Sequence, residues 1–214
     1  KEAICSNRAI VQIASQAGEQ AGMPKGAIGF IDRTDREATT YMMGLNGLVD
    51  VLIPRGGAGL IQSVVKNATI PVIETGVGNC HTYVDASADV NMAADIVINA
   101  KTSRPSVCNA CESLLVHKDI ADAFMPVILK RFAEKNVQVV GCERCRAYGQ
   151  MELATPEDYA KEFLDYKISA KIVDNIDEAI AHITKYGTMH SECIVTKSFD
   201  SAQKFTLEVD AAAV

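Results

Sequence analysis

The sequence predicts an α/β fold, in which parallel strands alternate with amphipathic helices, and three observations carry that expectation. Short apolar runs rich in Val and Ile alternate with longer stretches whose apolar residues recur at helical spacing. Gly, Pro, Asn, Asp, Ser and Thr fall between these segments, where turns and helix caps need them. The 214 residues are 48% hydrophobic and 22% charged, which is enough apolar surface to build a core.

In chain order, residues 2–21 read as a helix with Ile4, Ala9, Ile13, Ala17 and Ala21 on one stripe, ended by Gly22, Pro24 and Gly26. Ile28, Phe30 and Ile31 read as a short strand. Thr34, with Glu37 three residues on, has the pattern of a capping box and opens a helix to about residue 45. Val49, Val51, Leu52 and Ile53 read as a buried strand that runs into a glycine turn, with a helix over 60–67 and a strand over 70–73 after it. Residues 1–73 are therefore expected to be βα units feeding a parallel sheet. Beyond them, Tyr83 and Val84 end a strand, and 89–99 is a helix with Val90, Ala93, Ala94 and Val97 inward. A strand over 114–116, a helix over 120–132 and a strand over 137–140 follow. Thr155 and Pro156 start a helix expected to reach about residue 164. A strand over 168–173, a helix capped by Asn175 and Glu178 that ends at 186, a strand over 193–196 and a helix from about Ser198 complete the pattern.

Composition excludes several classes of function. The 21 Lys and Arg against 27 Asp and Glu leave a formal charge of −6, opposite to the basic face that nucleic acid requires. Every apolar run is broken before the roughly 18 residues of a membrane span. Seven irregularly spaced cysteines do not read as a disulfide scaffold, and no apolar leader core precedes Ala9. A reducing cytosol is the expected setting, where a cysteine matters as nucleophile or ligand. The sequence opens at Lys1 inside a helical pattern and stops at Val214 in an apolar stretch, so it is expected to be part of a longer protein.

Three segments could hold chemistry. Pro54-Arg55-Gly56-Gly57-Ala58-Gly59 follows a strand and precedes a helix, so bare backbone N–H groups and a positive helix end could meet an anion. A tight turn that binds nothing fits the same residues. Glu74-Thr75-Gly76-Val77-Gly78-Asn79-Cys80-His81 follows a strand, which puts it at the carboxyl edge of a sheet, with Glu74 as a general base or a cofactor contact. Its glycines could equally serve turn geometry alone. In Arg104-Pro105-Ser106-Val107-Cys108-Asn109-Ala110-Cys111-Glu112, Ser106 or Val107 can start a helix whose first turn favours the Cys108 thiolate, while Cys111 packs. Most of the seven cysteines are expected to be small buried hydrophobes. Cys108, Cys111, Cys142 and Cys145 together could instead form a structural zinc site, although their pairs are spaced more widely than in common zinc ribbons. A Cys108–Cys111 redox couple is a weaker alternative. His81, His117, His182 and His190 lack metal-ligand spacing; His182 is expected at the surface or in the core, and His190, in Gly187-Thr188-Met189-His190-Ser191, at a pocket edge.

The ordered set of Ile53–Leu60, the Glu74–His81 run, Asn99-Ala100-Lys101-Thr102 with Arg104-Pro105, Cys108-Asn109 and the 187–191 run resembles the gamma-glutamyl phosphate reductases. These enzymes, also called glutamate-5-semialdehyde dehydrogenases, are a family within the aldehyde dehydrogenase superfamily. The resemblance spans nearly the whole chain. It implies an aldehyde-dehydrogenase-like α/β fold, with part of a parallel, Rossmann-like NAD(P)-binding domain over 1–73 and a catalytic domain lacking its C-terminal end over 74–214. It implies NADPH-dependent reduction of L-glutamyl 5-phosphate to glutamate 5-semialdehyde and phosphate in proline biosynthesis, through a thioester on Cys108. Glu74 matches the position where hydrolytic relatives keep a general base, a role a reductase does not need. Gly56, Gly57 and Gly59 match the loop against the cofactor phosphates, and Glu162 more loosely matches the glutamate on the nicotinamide ribose. Asn79 and Arg104 are implied near the glutamyl group or the leaving phosphate, His190 is expected to join them in binding substrate, and no metal is implied. The family also implies glutamate 5-kinase as pathway neighbour and a homo-oligomer at full length, with neither nucleic acid nor membrane as partner. Cys142 and Cys145 belong to no motif of the family and are expected in a variable surface loop. Another NAD(P)-dependent aldehyde dehydrogenase, or a zinc-stabilised binding module, is the alternative.

Overall fold

The computed structural model describes residues 3–74 and 76–214. Lys1, Glu2 and Thr75 lie outside the described residues, and with them the start of the expected first helix and one position of the Glu74–His81 run. The chain divides into two compact units, Lys1–Thr75 and Gly76–Val214.

In the first unit, α1 (Ile4–Gln20) has no buried residue, and Ile13 on its expected inner stripe is 68% exposed. Arg8 grips Asp32 with both ends of its fork, Nε to Oδ2 at 2.9 Å and Nη2 to Oδ1 at 2.6 Å. Helix α2 (Arg36–Met43) is capped by Asp35, whose carboxylate accepts the Ala38 N–H at 2.8 Å. The expected cap was Thr34; the helix begins one residue later, where the Asp35 carboxylate takes the Ala38 N–H and also meets the positive helix end. Helix α3 (Ala58–Asn67) starts earlier than expected, with Gly57 as its cap. Met43, Ile61, Val64 and Ile70 form the small buried centre.

The parallel sheet expected in residues 1–73 is not formed among the described residues. Leu52 and Val72 make a single parallel bridge, with Leu52 N–H donating to Pro71 O at 2.9 Å and Ile73 N–H to Leu52 O at 2.8 Å. Residues 28–31 form no strand. Parallel strands hold when both faces are covered and neighbours pair with them, and two strands alone do not suffice. Here Ile53 and Ile73 stay 57% and 58% exposed, so the ladder stops at one rung.

The second unit runs β1 (Cys80–Val84), α4 (Val90–Thr102), β2 (Cys111–His117), α5 (Lys118–Glu134), β3 (Gln138–Gly141), α6 (Glu143–Arg146) and β4 (Glu152–Leu153). It continues with α7 (Pro156–Tyr159), β5 (Lys167–Val173), α8 (Ile176–Tyr186), β6 (Glu192–Val195) and α9 (Phe199–Glu208). The strands form one sheet in the order β4-β3-β5-β2-β1-β6, and every pair is parallel. Successive strand residues point to opposite faces, so Leu114 and Leu115 serve two cores. Leu114 joins Val97 of α4 and Phe124 and Ile128 of α5; Leu115 joins Tyr83, Ile183 of α8 and Phe205 of α9. Coverage on both sides is why these strands read as unbroken apolar runs. Asp89, Asn175 and Ser198 cap α4, α8 and α9 through side-chain bonds to first-turn N–H groups.

Helix α7 corrects one expected length. Thr155 and Asp158 form a reciprocal capping box with Pro156 at the first position, yet the helix ends at Tyr159 and not near 164. The Tyr159 carbonyl, free to extend the helix, accepts instead from Asn79 Nδ2 at 2.8 Å, and Leu164 takes a positive φ of 56° that no helix accommodates. Among the described residues no helix is long and apolar enough to cross a membrane.

Phe124 has no exposed surface and touches the sheet from the middle of α5. Phe124→Ala is expected to lower the unfolding free energy by about 3–5 kcal/mol. Urea titration followed by circular dichroism measures it, and an unshifted midpoint would show that the α4/α5 layer does not depend on this ring.

Candidate active site

Four loops of the second unit reach the sheet from one side. Residues 76–79 lead into β1, 103–110 into β2, 160–166 into β5 and 187–191 into β6. Because the strands are parallel, all four loops meet at the amino edge. The Glu74–His81 run was expected at a carboxyl edge; in this unit Gly76, Val77, Gly78 and Asn79 lie instead at the amino end of β1, because the expected strand over 70–73 is not part of this sheet.

Cys108 is exposed on the 103–110 loop. The loop is not helical: Val107 N–H donates to Arg104 O at 3.3 Å and Ala110 N–H to Val107 O at 3.1 Å, and β2 begins directly afterwards. The helix dipole expected to stabilise a Cys108 thiolate is therefore absent, since a strand starting at Cys111 leaves no room for a helical turn. Instead the two ends of the loop are tied together. Lys101 Nζ, from the last turn of α4, donates to Glu112 Oε2 on β2 at 2.7 Å, and both side chains have no exposed surface. Glu112 Oε1 accepts the Leu164 N–H at 3.2 Å, which brings the 160–166 loop to the same point. Burial pushes the Glu112 carboxyl above its ordinary range against the pull of Lys101 and these hydrogen bonds.

The backbone of Cys108 is seated from behind. A Cβ built on Gly78 would overlap the Cys108 carbonyl and come within 2.9 Å of its Cα, so only glycine allows this approach. Cys80 Sγ donates to Cys108 O at 3.3 Å, and burial pushes that thiol up to about 12, which keeps it a protonated donor at neutral pH. His190 Nδ1 lies 3.7 Å from Cys80 Sγ and 2.8 Å from Ser191 Oγ, so His190 belongs to this cluster. Glu162 joins it from the other side, its Oε1 accepting the Gly78 N–H at 2.9 Å. Arg104 is exposed at the start of the Cys108 loop.

Asn79 is 1% exposed, and its side-chain amide donates to Tyr159 O at 2.8 Å and Tyr186 O at 2.7 Å, while its N–H donates to Thr188 Oγ1 at 3.0 Å. These bonds bolt the loops before β1, β5 and β6 to one another. Below them His81 pairs with Glu192, Nδ1 to Oε2 at 3.0 Å, with both side chains fully buried. His182 is a core residue stacked edge-on against Tyr159 and His81. Burial, followed by the nearby His81 and Lys171, lowers its pKa to about 3, so it is neutral in the fold.

Gly56, Gly57, Gly59 and Glu74 belong to the first unit. Gly57 caps α3 and its carbonyl accepts from Leu60 and Ile61; a Cβ on Gly57 or Gly59 would meet nothing within 4 Å, whereas one on Gly56 would meet Leu60 Cδ2 at 2.7 Å. Glu74 is exposed. The four-cysteine zinc arrangement is not formed: among the described residues no three His, Cys, Asp or Glu converge as metal ligands. Cys111 packs at the first position of β2, its thiol donating to Ser113 O.

Lys101, Glu112, Gly78 and Cys80 were not singled out in the sequence, although Lys101 had a signal, because it falls four residues after Val97 on the inward stripe of α4.

Residues 5–143 match the model of the aldehyde dehydrogenase family. The chain is similar to gamma-glutamyl phosphate reductases of Clostridium novyi (strain NT) and Heliobacterium modesticaldum. It is 59% identical to each, and each match covers all of this chain and 51% of the relative. The chain thus spans about half the length of the curated relatives it matches. The crystal structure of gamma-glutamyl phosphate reductase from Thermotoga maritima is 48% identical with a TM-score of 0.91, over 99% of this chain and 51% of that one. An acetylating aldehyde dehydrogenase from Geobacillus thermoglucosidasius, 19% identical over 95% of this chain and 53% of that one, shares the fold with a TM-score of 0.71.

Gly78→Ala is expected to cost about 1–3 kcal/mol of stability by overpacking and to change the rate at which iodoacetamide labels Cys108 relative to Cys5. If both quantities stayed at their original values, the Cys108 carbonyl would not be seated on Gly78. A second expectation concerns pH. Between the ordinary 6.5 and about 3 the unfolded chain binds a proton at His182 that the fold refuses, so stability falls as pH drops through that window. The slope from this one group is at most about 1.4 kcal/mol per pH unit. Urea titrations of His182→Phe from pH 7 to 4 should show a flatter decline than the parent chain; parallel curves would refute the assignment.

Proposed function

Because the chain belongs to the aldehyde dehydrogenase family, we propose that it is the part of a gamma-glutamyl phosphate reductase that carries the nucleophile, with Cys108 attacking the acyl carbon of L-glutamyl 5-phosphate. The observation that carries this proposal is the seating of Cys108: an exposed cysteine on a loop whose ends are joined by a buried ion pair and whose backbone rests on Gly78. Such a loop holds a nucleophile in one geometry while leaving it open to substrate. The 59% identity to proteins of that name supports the choice of substrate.

The residues would then divide the work as follows. The Cys108 sulfur bonds to the acyl carbon, phosphate leaves with the electron pair of the broken C–O bond and takes up the thiol proton, and a thioester remains. Thioesters accept hydride readily, so a cysteine suits the reduction of an activated acyl group. NADPH, when bound, supplies that hydride. Gly57 and Gly59, with open space where a Cβ would stand, fit the approach of a phosphate to the backbone at the start of α3, with Gly56 before them against Leu60. Residues 1–73 would accordingly be part of the cofactor-binding domain and 74–214 of the catalytic domain. Glu162 keeps one carboxylate oxygen on Gly78 and has the other for a ribose hydroxyl. Arg104 and His190 flank the cysteine loop, where the glutamyl carboxylate or the departing phosphate needs positive or hydrogen-bonding partners. Asn79 would act by holding the loops that carry these groups. A cytosolic homo-oligomer supplied by glutamate 5-kinase belongs to the same proposal.

In the reverse direction the enzyme is expected to reduce NADP only when glutamate 5-semialdehyde and phosphate are both present. Cys108→Ala should lower that rate by at least about a thousandfold, read as NADPH absorbance. Reduction of NADP without phosphate would favour an ordinary hydrolytic aldehyde dehydrogenase, and full activity of the variant would refute the nucleophile.

A further inference from the structure

Cys142 and Cys145 take no part in the chemistry above, and they lie at the carboxyl end of β3, on the opposite edge of the sheet from Cys108. The segment lies at the surface as expected, with Glu143, Arg144 and Arg146 exposed, but helix α6 turns Cys145 inward. Cys142 N–H donates to Ala170 O at 3.0 Å and Cys145 N–H to Cys142 O at 2.9 Å, which folds the two thiols toward each other. Their sulfurs lie 3.5 Å apart. Cys145 has no exposed surface and packs in the α4/α5 core, whereas Cys142 is half-buried. A Cβ on Gly141 would overlap Met151 Sδ and come within 2.8 Å of Cys145 Cβ, so the glycine before the pair makes room for it.

We propose that Cys142 and Cys145 form a dithiol–disulfide couple, with the half-buried Cys142 as the attacking sulfur and the buried Cys145 as the resolving one, oxidised by small disulfides of the glutathione class. The close contact with the Cys145 sulfur and the Ile172 N–H donated to Cys142 Sγ at 3.4 Å hold the Cys142 thiol below its ordinary range despite its burial, which favours the thiolate there. The same contact, with burial, pushes Cys145 up and stores the remaining proton there. An asymmetric pair of this kind, one sulfur reachable and ionised and one buried and protonated, is what thiol–disulfide exchange requires.

The exchange balances without any further reactant. The Cys142 thiolate attacks one sulfur of RSSR, the S–S bond breaks, and RS⁻ departs, leaving a mixed disulfide on Cys142. With Cys142 no longer anionic, the influence that kept the Cys145 proton in place is gone, and that proton goes to RS⁻. The Cys145 sulfur then attacks Cys142 Sγ and expels the second RS⁻, which takes a proton from water. One protein thiolate, one protein thiol, RSSR and a proton from water become one protein disulfide and two RSH. The sulfurs need to close by roughly 1.5 Å to reach bonding distance, within reach of a change in χ1.

The test incubates the chain with mixtures of oxidised and reduced glutathione at pH 7, blocks free thiols with N-ethylmaleimide and digests with trypsin. Trypsin cuts after Lys135, Arg144 and Arg146, so the disulfide appears as peptide 136–144 joined to peptide 145–146. The joined pair is expected to become the majority form in the oxidised mixtures and to disappear with dithiothreitol, while the exposed Cys5 takes glutathione singly. Cys145→Ser, or Cys145→Ala if serine unfolds the core, should retain glutathione on Cys142, and Cys142→Ser should cut glutathione on Cys145 at least tenfold. Recovery of Cys142 and Cys145 in separate peptides across the whole series would overturn the proposal, because the unaltered chain alone decides it.

Discussion

Lys101 and Glu112 bury a full positive and a full negative charge in contact with each other, with no exposed surface on either side chain. Removing each from water costs several kcal/mol, so such a pair persists only when its geometry is good and its remaining hydrogen-bonding capacity is filled. Glu112 meets that condition with its second oxygen on the Leu164 N–H and its backbone carbonyl on Ser169 Oγ. The ion pair therefore fixes more than its own two residues. It sets the end of α4 against the start of β2, and it holds the 160–166 loop and β5 beside them. The Cys108 loop, which spans the gap between the two charges, has its ends determined by electrostatics before its own residues contribute anything.

From this anchor the positions of the other groups follow by short steps. The loop that gives its Leu164 N–H to Glu112 also carries Glu162, which accepts the Gly78 N–H, and Gly78 in turn underlies the Cys108 carbonyl. Asn79, next in sequence, takes the carbonyls of Tyr159 and Tyr186 and so adds the loops before β5 and β6. Most polar residues at this edge thus spend their hydrogen bonds on backbone. Side chains committed in this way position the site, and the few left facing outward, Cys108 and Arg104 among them, are those available to a substrate. The closeness of Gly78 to Cys108 also explains why so small a residue sits in the middle of the assembly.

The second unit was largely legible in the sequence because its strands are covered on both faces and its helices announce themselves with Asp89, Thr155, Asn175 and Ser198. What escaped were outcomes set by distant partners. The apolar run around Leu52 looks like a strand, but a strand is a relation between neighbours, and among the described residues the run makes just two isolated bridges, Val49 with Asn46 and Leu52 with Val72. The early end of α7 depends on Asn79, 80 residues away. The segment Pro105-Ser106-Val107 is compatible with a helix start, and only the onset of β2 at Cys111 excludes one. Cys108 was singled out by its place in an ordered set of motifs and lies exposed on its loop, whereas its thiolate-stabilising helix was a local inference that the strand overrode. Asp35 replaced Thr34 as the cap because the helix begins one residue later, where a carboxylate meets its positive end.

The place of β6 beside β1 has a consequence for how the molecule comes into being. His81 and Glu192 are joined across 111 residues of chain, and His190 reaches the cysteine cluster only with the strand that carries Glu192. Pairings of such long range are slow to form, because the loop between them must be closed first. A ribosome extends the chain from its amino end, so Cys108 emerges long before β6 exists to dock. For that interval His81, which ends fully buried against Glu192, has no carboxylate to meet, and the edge of the sheet beside β1 stays open until its last strand is made.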